Sequence, residues 1–435
     1  MFYMEVTMNK KGIMGLMLCA ALLCGCGSNA AVNAAGAEAS VANEETAAVA
    51  ASETSVETAT EAASAEATVE EAEVLTDDAI LKDLCADYFT LGVGINGSTL
   101  DNQCLNIPQY MELSKKHFNS CTMTNLMKSG YILDQFGSQE NLKNGNPEPA
   151  LNFFSIDPTL EWCKENGMKM RGHTLVWHTQ APEWFFREGY TEDGEYVDKD
   201  TMLVRMESYI KQLLAHVQEE YPGVIYCWDV VNEAVDPDSA DPDSDFLCRT
   251  KLGDQPNPWY ATIGKDYVEM AFTYARKYAD PEVKLFYNDY NTYQEPKTEG
   301  IFTLCSHLKE KGLIDGIGMQ GYWGIDYPDM SMIKKAMERF AELDLEIQVT
   351  ELSVGVDKET DKEFEKQAEK YRKIFTLFGQ MDTQGGGPCN ITNVTVFGLV
   401  DHYRDGDTTN TRLFNKDYQP KPAYKAVKEA MEAYN

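Results

Sequence analysis

The chain has 435 residues, enough for one large domain or two ordinary ones. Its 38 Lys and Arg stand against 70 Asp and Glu, a formal net charge of −32. Such a charge repels nucleic acid and anionic lipid, which argues against a nucleic-acid partner and is compatible with a neutral polymer.

At the N-terminus, Asn9-Lys10-Lys11 is a short basic stretch and residues 12–23 form an apolar run. That run is too short to span a bilayer, so it reads as the hydrophobic region of a signal peptide. Leu23-Cys24-Gly25-Cys26-Gly27-Ser28 follows and resembles the lipobox of bacterial lipoproteins. The resemblance implies a signal peptide over residues 1–25, lipidation of Cys26, and a chain held on the extracellular face of the bacterial cell membrane. The competing reading is a plain secretory signal with a bystander cysteine. Eight cysteines remain beyond Cys26, none in a CxxC pair, so neither a zinc site nor a thioredoxin-type motif is indicated. Export permits disulfides, but sequence cannot choose among the pairings, and several of these cysteines can be small buried hydrophobes.

Residues 26–75 are dominated by Ala, Glu, Ser, Thr and Val; from residue 29 to 75 there are ten Glu and no Lys or Arg. Lacking aromatic residues and apolar periodicity, this stretch cannot offset its ordering entropy and reads as a self-repelling, disordered tether. An Ala/Glu-rich helix is the alternative; either serves as a spacer.

From residue 76 to 435 the texture is globular. Short β-type runs are expected at 89–95, 120–125, 169–177, 224–232, 283–288, 316–322, 346–351 and 393–400. Longer amphipathic segments lie between them, among them 202–220, 266–278, 330–343 and 362–378. This alternation predicts an α/β fold of the (β/α)8 TIM-barrel type. A doubly wound open sheet is the structural alternative, but no GxGxxG turn follows the first strand, and no cofactor is indicated.

In such a barrel, chemistry collects where apolar strands end. The fourth run closes on Val230-Val231-Asn232-Glu233 and the seventh on Val349-Thr350-Glu351. A lone buried carboxylate is costly, so one strand-end Glu reads first as half of a salt bridge. Two of them, on strands four and seven, read as a catalytic pair. Retaining glycosidases use two carboxyls about 5–5.5 Å apart, one a protonated acid and one an ionised nucleophile, which requires their environments to differ. His173 and His178 lie on opposite faces of a continuing strand, which argues against a shared metal. His173 and Trp177 share a face, as a polar group beside a sugar-stacking platform should. The Asp-rich segment 236–245 lacks the pattern of an EF-hand loop and reads as a solvated acidic loop.

Six stretches carry a family resemblance: Gly172-His173-Thr174-Leu175-Val176-Trp177-His178-Thr179-Gln180, Trp228-Asp229-Val230-Val231-Asn232-Glu233-Ala234, Phe286-Tyr287-Asn288-Asp289-Tyr290-Asn291, Gly316-Ile317-Gly318-Met319-Gln320, Val349-Thr350-Glu351-Leu352 and Pro420-Lys421-Pro422-Ala423-Tyr424. Together, over about residues 76–434, they resemble glycoside hydrolase family 10 endo-β-1,4-xylanases. The resemblance implies Glu233 as acid/base and Glu351 as nucleophile. It also implies sugar contacts from Asn125, Lys128, His173, Trp177, Gln180, Asn232 and Gln320, with xylan as the polysaccharide substrate. Hydrolysis of another β-linked plant polysaccharide, and a non-catalytic glycan-binding lipoprotein, are the alternatives.

The departures from the family cluster. Thr124 and Ser129 replace a carboxylate and an indole in the Glu-Asn-x-x-Lys-Trp pattern, and Phe397 and Asp405 stand where two further indoles are usual. Tyr322 replaces the histidine that bonds the nucleophile, and Ser353 the aspartate that backs it. These two changes read as coupled, because a phenol can donate to the Glu351 carboxylate without an acid to fix its tautomer.

Overall fold

In the computed structural model the described residues are 80–95, 104–402 and 409–434. The expected signal peptide, Cys26 and the tether lie outside the described residues. Among the described residues, no helix is long and apolar enough to cross a membrane.

Eight strands form the core: β1 (Thr90–Ile95), β2 (Ser120–Met123), β3 (Lys169–Trp177), β4 (Ile225–Asn232), β5 (Lys284–Asp289), β6 (Gly316–Met319), β7 (Glu346–Val354) and β8 (Asn390–Val396). Each is hydrogen-bonded in parallel to its neighbours in sequence order; β8 returns to β1, so the sheet closes on itself. The helices that follow the strands are α1 (Pro108–His117), α2 (Asp157–Asn166), α3 (Lys199–Glu220), α4 (Tyr267–Tyr278), α5 (Glu295–Glu310), α6 (Met330–Ala341), α7 (Asp361–Met381) and α8 (Pro422–Glu432). This is the closed (β/α)8 barrel that the alternation predicts.

The strands read as near-continuous apolar runs because parallel strands under a helical jacket are buried on both faces. In β4 and β7 nearly every residue is buried. Helix starts follow local chemistry: Asp198, Asp329 and Thr360 accept from backbone N–H groups at the heads of α3, α6 and α7. Gly167, at φ +64°, ends α2 in the left-handed conformation that favours glycine.

Three expected strands end earlier than their composition suggests; the run at 120–125 stops at Met123, and the other two stop near a glycine. The run at 316–322 breaks into β6 and a separate pair, Tyr322–Trp323, because Gly321 turns the chain at φ +82°. The run at 393–400 begins at Asn390 and stops at Val396, before Gly398 at φ +127°. Register shifts fall near the C-terminal ends of the strands, between His173 and Val176, Asp229 and Val231, and Val349 and Leu352. Such irregularities bend a strand and re-aim its side chains, here at the mouth of the barrel.

Candidate active site

Glu233 is the first residue past β4, and its backbone is left-handed at φ +58°. A non-glycine residue keeps that conformation only where its surroundings over-determine it. Four contacts do so here. Its N–H donates to the Asn288 carbonyl at 2.9 Å, and its own carbonyl accepts from Arg249 Nε at 2.8 Å. Two residues on, Val235 N–H donates to the Tyr287 hydroxyl at 2.9 Å, and Asp236 forms an ion pair with Arg249 at 3.0 Å. Asp236 therefore belongs to the support of Glu233 rather than to a solvated acidic loop.

The Glu233 carboxylate accepts from Trp177 Nε1 at 2.9 Å on one oxygen and from Gln320 Nε2 at 2.8 Å on the other. Glu351, buried on β7, accepts from Asn288 Nδ2 at 3.0 Å and from the Tyr322 hydroxyl at 2.5 Å. Asn288 joins the two halves. Its Nδ2 also donates to Asn232 Oδ1 at 2.9 Å, and Gln320 Nε2 reaches the same oxygen at 3.3 Å. The Asn288 amide is oriented by Thr350, whose hydroxyl donates to its Oδ1 at 2.6 Å. A continuous chain of side-chain hydrogen bonds thus runs from one glutamate to the other.

A second cluster adjoins the first. Lys128 Nζ donates to Asn125 Oδ1 at 3.0 Å and to Gln180 Oε1 at 2.9 Å, and lies 4.5 Å from the centre of the Trp177 ring. The Lys128 cation therefore sits over the indole that the sequence marks as a sugar platform, and Trp177 acts here as a donor to Glu233. His173 stands apart: its Nδ1 lies 2.9 Å from Asp229, which also holds Arg171 in a buried ion pair. The expected site residues on β3, β4, β6 and β7 thus converge, with His173 anchored beneath them through Asp229. Among the described residues no group of His, Cys, Asp and Glu could hold a metal ion.

Charge is divided unequally. Burial pushes the Glu233 carboxyl up, but His178, the Gln320 amide, Arg249 and Lys297 together carry it below its ordinary value. Burial also pushes His178 down to about 3, so near neutral pH this ring is uncharged and the other donors remain. The unliganded site therefore stabilises Glu233 as a carboxylate, which differs from a resting proton on the acid. Burial pushes Lys128 down to about 8 against the pull of Glu351 and Glu233.

Tyr322 and Ser353 are direct register partners on neighbouring strand segments. The Tyr322 ring meets Phe397 edge-on, with centroids 6.0 Å apart. The structure thus places the phenol on Glu351 as the coupled exchange requires. Sequence reasoning missed Asn288, Arg249, Tyr287 and Lys297; Asn288 and Tyr287 lie inside a quoted motif, and that was the available signal. Asp405 lies outside the described residues.

Residues 80–430 match glycosyl hydrolase family 10. A Caldicellulosiruptor saccharolyticus protein is 44% identical over 315 residues, covering 70% of this chain and 96% of that one. Endo-1,4-β-xylanase B of Butyrivibrio fibrisolvens is 38% identical over 356 residues, which is 80% of this chain and 53% of that protein. The CBM22-1–GH10 modules of a Clostridium thermocellum endo-1,4-β-D-xylanase, solved with xylohexaose, superpose with a TM-score of 0.72 at 34% identity. That match covers 81% of this chain and 67% of the other.

Two outcomes are expected. Tyr322→Phe removes a hydrogen bond to Glu351, worth about 1.5–3 kcal/mol where the partner is charged, and should lower kcat/KM by about 10- to 100-fold. Gln320→Leu removes a donor that favours ionised Glu233, so the Glu233 pKa should rise. The alkaline limb of the kcat/KM–pH profile should then move to higher pH, as steady-state assays across pH would show.

Proposed function

The chain belongs to glycosyl hydrolase family 10, and from that premise we propose that it is a retaining endo-β-1,4-xylanase whose double displacement runs on Glu351 and Glu233. The observation that carries this reading is the hydrogen-bonded chain through Asn288, Asn232 and Gln320, which links the two carboxyls at the mouth of the barrel. Xylan is favoured as substrate by the endo-1,4-β-xylanases among the relatives, one of them solved with xylohexaose.

In the first step a Glu351 oxygen attacks the anomeric carbon while the bond to the leaving sugar breaks. Glu233 delivers its proton to the departing oxygen. Asn288 and Tyr322 hold Glu351 in place, leaving its carboxylate one line of attack. In the second step Glu233, now a carboxylate, removes a proton from water. That water displaces Glu351 from the anomeric carbon, and the original configuration returns. The Glu233 environment suits this half, because its donors favour the ionised form. Lys128, Asn125, Gln180 and Trp177 form the wall against which the reacting sugar rests.

The N-terminal address belongs to the same reading. Cys26 carries the lipid, and residues 26–75 space the barrel from the membrane.

The decisive experiment is hydrolysis of a panel of β-glycans with product sizing: endo cleavage of xylan supports the reading, and cleavage of a different β-glycan instead overturns the substrate. Glu351→Ala should abolish turnover, with azide restoring it and giving a product of inverted configuration. Glu233→Ala should spare only substrates with acidic leaving groups. Near wild-type activity of either variant on polysaccharide would refute the pairing. Cys26→Ala should release the protein from membranes at unchanged specific activity, measured by fractionation. Thr124, Ser129, Phe397 and Asp405 stand in place of contacts that typically contribute about 1–3 kcal/mol each. Efficiency on a ladder of labelled xylo-oligosaccharides should therefore rise little with sugars added two and three units ahead of the cut. A steep rise with each such sugar would count against that placement.

A further inference from the structure

The chain carries a large excess of acid, yet one arginine at the barrel mouth forms no ion pair with a carboxylate of the described residues. Of the arginines described, Arg171, Arg187, Arg249, Arg276, Arg339 and Arg372 each form an ion pair with a carboxylate. Arg205 is satisfied by the carbonyls of Phe185 and Arg187. Arg412 has neither. Its Nη1 donates to Thr411 Oγ1 at 2.9 Å and lies 3.5 Å from Ser353 Oγ. The Asp401 carboxylate accepts the Arg412 backbone N–H at 2.9 Å and feels its charge, but its ion pair is with Lys421.

Its position makes this consequential. Ser353 follows Glu351 by two residues on β7 and is the register partner of Tyr322, which bonds Glu351. On the other side, the backbone of Gly398 lies flat against the guanidinium: a Cβ there would come within 2.3 Å of Arg412 Nε. Gly398 directly follows Phe397, the ring that meets Tyr322 edge-on. The guanidinium is thus built into the wall beside the nucleophile and is partly exposed.

A guanidinium presents five N–H donors in a planar fork that matches a carboxylate. Thr411 and Ser353 engage only Nη1, which leaves the Nε and Nη2 edge without a partner among the described residues. Elsewhere the net charge of −32 repels acidic polymers, so a local cation decides whether an acidic sugar is tolerated at the cleft. We infer that Arg412 binds the carboxylate of a uronic-acid branch on a sugar held beside Glu351, so that the cleft favours acid-decorated chains over bare ones. This rests on the polysaccharide-hydrolase reading above and adds a specificity residue to that site.

The test compares wild type, Arg412→Gln and Arg412→Lys on a linear xylo-oligosaccharide and on the same oligosaccharide bearing one glucuronate branch. Both kcat/KM and calorimetric binding are measured, the latter at low and high salt. Wild type should prefer the acidic oligosaccharide. Arg412→Gln should cut its kcat/KM and affinity for that ligand by about 10- to 100-fold, with the linear one changed less than about 3-fold. Arg412→Lys, which keeps the charge and loses the fork, should fall between, and salt should erode the wild-type preference. Equal losses on both ligands would make Arg412 a prop for Ser353 and Tyr322 and overturn the inference. So would a wild type with no preference for the acid. Cleavage of neither ligand would sink the xylanase reading alone, because the ratio of binding affinities still decides the role of Arg412.

Discussion

The site depends on one buried amide. Asn288, next to last in β5, has no exposed surface, and every hydrogen-bonding group of its side chain is committed. Its Nδ2 serves both Asn232 and Glu351, its Oδ1 accepts from Thr350, and its backbone carbonyl receives the N–H of Glu233. Strand β5 thereby touches Glu351 and Glu233 at once, one through its side chain and one through its main chain. A buried amide with an unmade bond costs about 1–3 kcal/mol, so its four contacts stand or fall together. The spacing of the carboxyls is in this way fixed by the interior rather than by the loops.

A larger polar network underlies that hub. Arg171 on β3 forms an ion pair with Asp229 on β4 and donates from Nε to Gln348 on β7 at 2.6 Å, all three buried within the barrel. Taking such charges out of water costs several kcal/mol per ion, and their attraction recovers this only with good geometry and satisfied lone pairs. Here Asp229 is also bonded by His173, so its carboxylate is fully engaged. A network of this kind is weak support for stability. Its contribution is registry: it reaches across the barrel and fixes how β3 and β4, which carry Trp177 and Glu233, face β7, which carries Glu351.

How much of this is legible in the sequence follows from the range of each cause. The eight strands and the two glutamates are legible because burial on both faces and a terminal carboxylate are local patterns, present in 225–233 and 346–351 by themselves. Tyr322 on Glu351 is legible because two exchanged residues can be read together. Arg249 is not: it lies 16 residues beyond Glu233 in a loop of acidic texture, and only the fold brings its Nε to the Glu233 carbonyl. Lys297 sits in the first turn of α5 and pairs with Asp289 at 2.7 Å, a contact whose composition looks like an ordinary helix start. The early ends of the sixth and eighth runs escape for a different reason. Apolar residues continue past the turn, and Gly321 and Gly398 mark the break only when their φ values are known.

These out-of-sight contacts share a sign. Lys128, Arg249 and Lys297 are buried cations around the glutamates, in a chain whose charge is otherwise strongly negative. Each is partnered: Arg249 by Asp236 and Tyr290, Lys297 by Asp289 with its ammonium 3.5 Å from the Tyr290 ring centre, Lys128 by two amides and an indole. Partnering keeps a buried cation charged and in place, so the field at Glu233 is preorganised and needs no rearrangement as charge moves during the reaction. The cost is that the same field favours Glu233 as a carboxylate before any sugar arrives. Both Glu233 oxygens are occupied, one by the Trp177 donor and one by the Gln320 donor. A ligand that engaged Gln320 would remove the strongest neutral contributor to that preference and free one Glu233 oxygen.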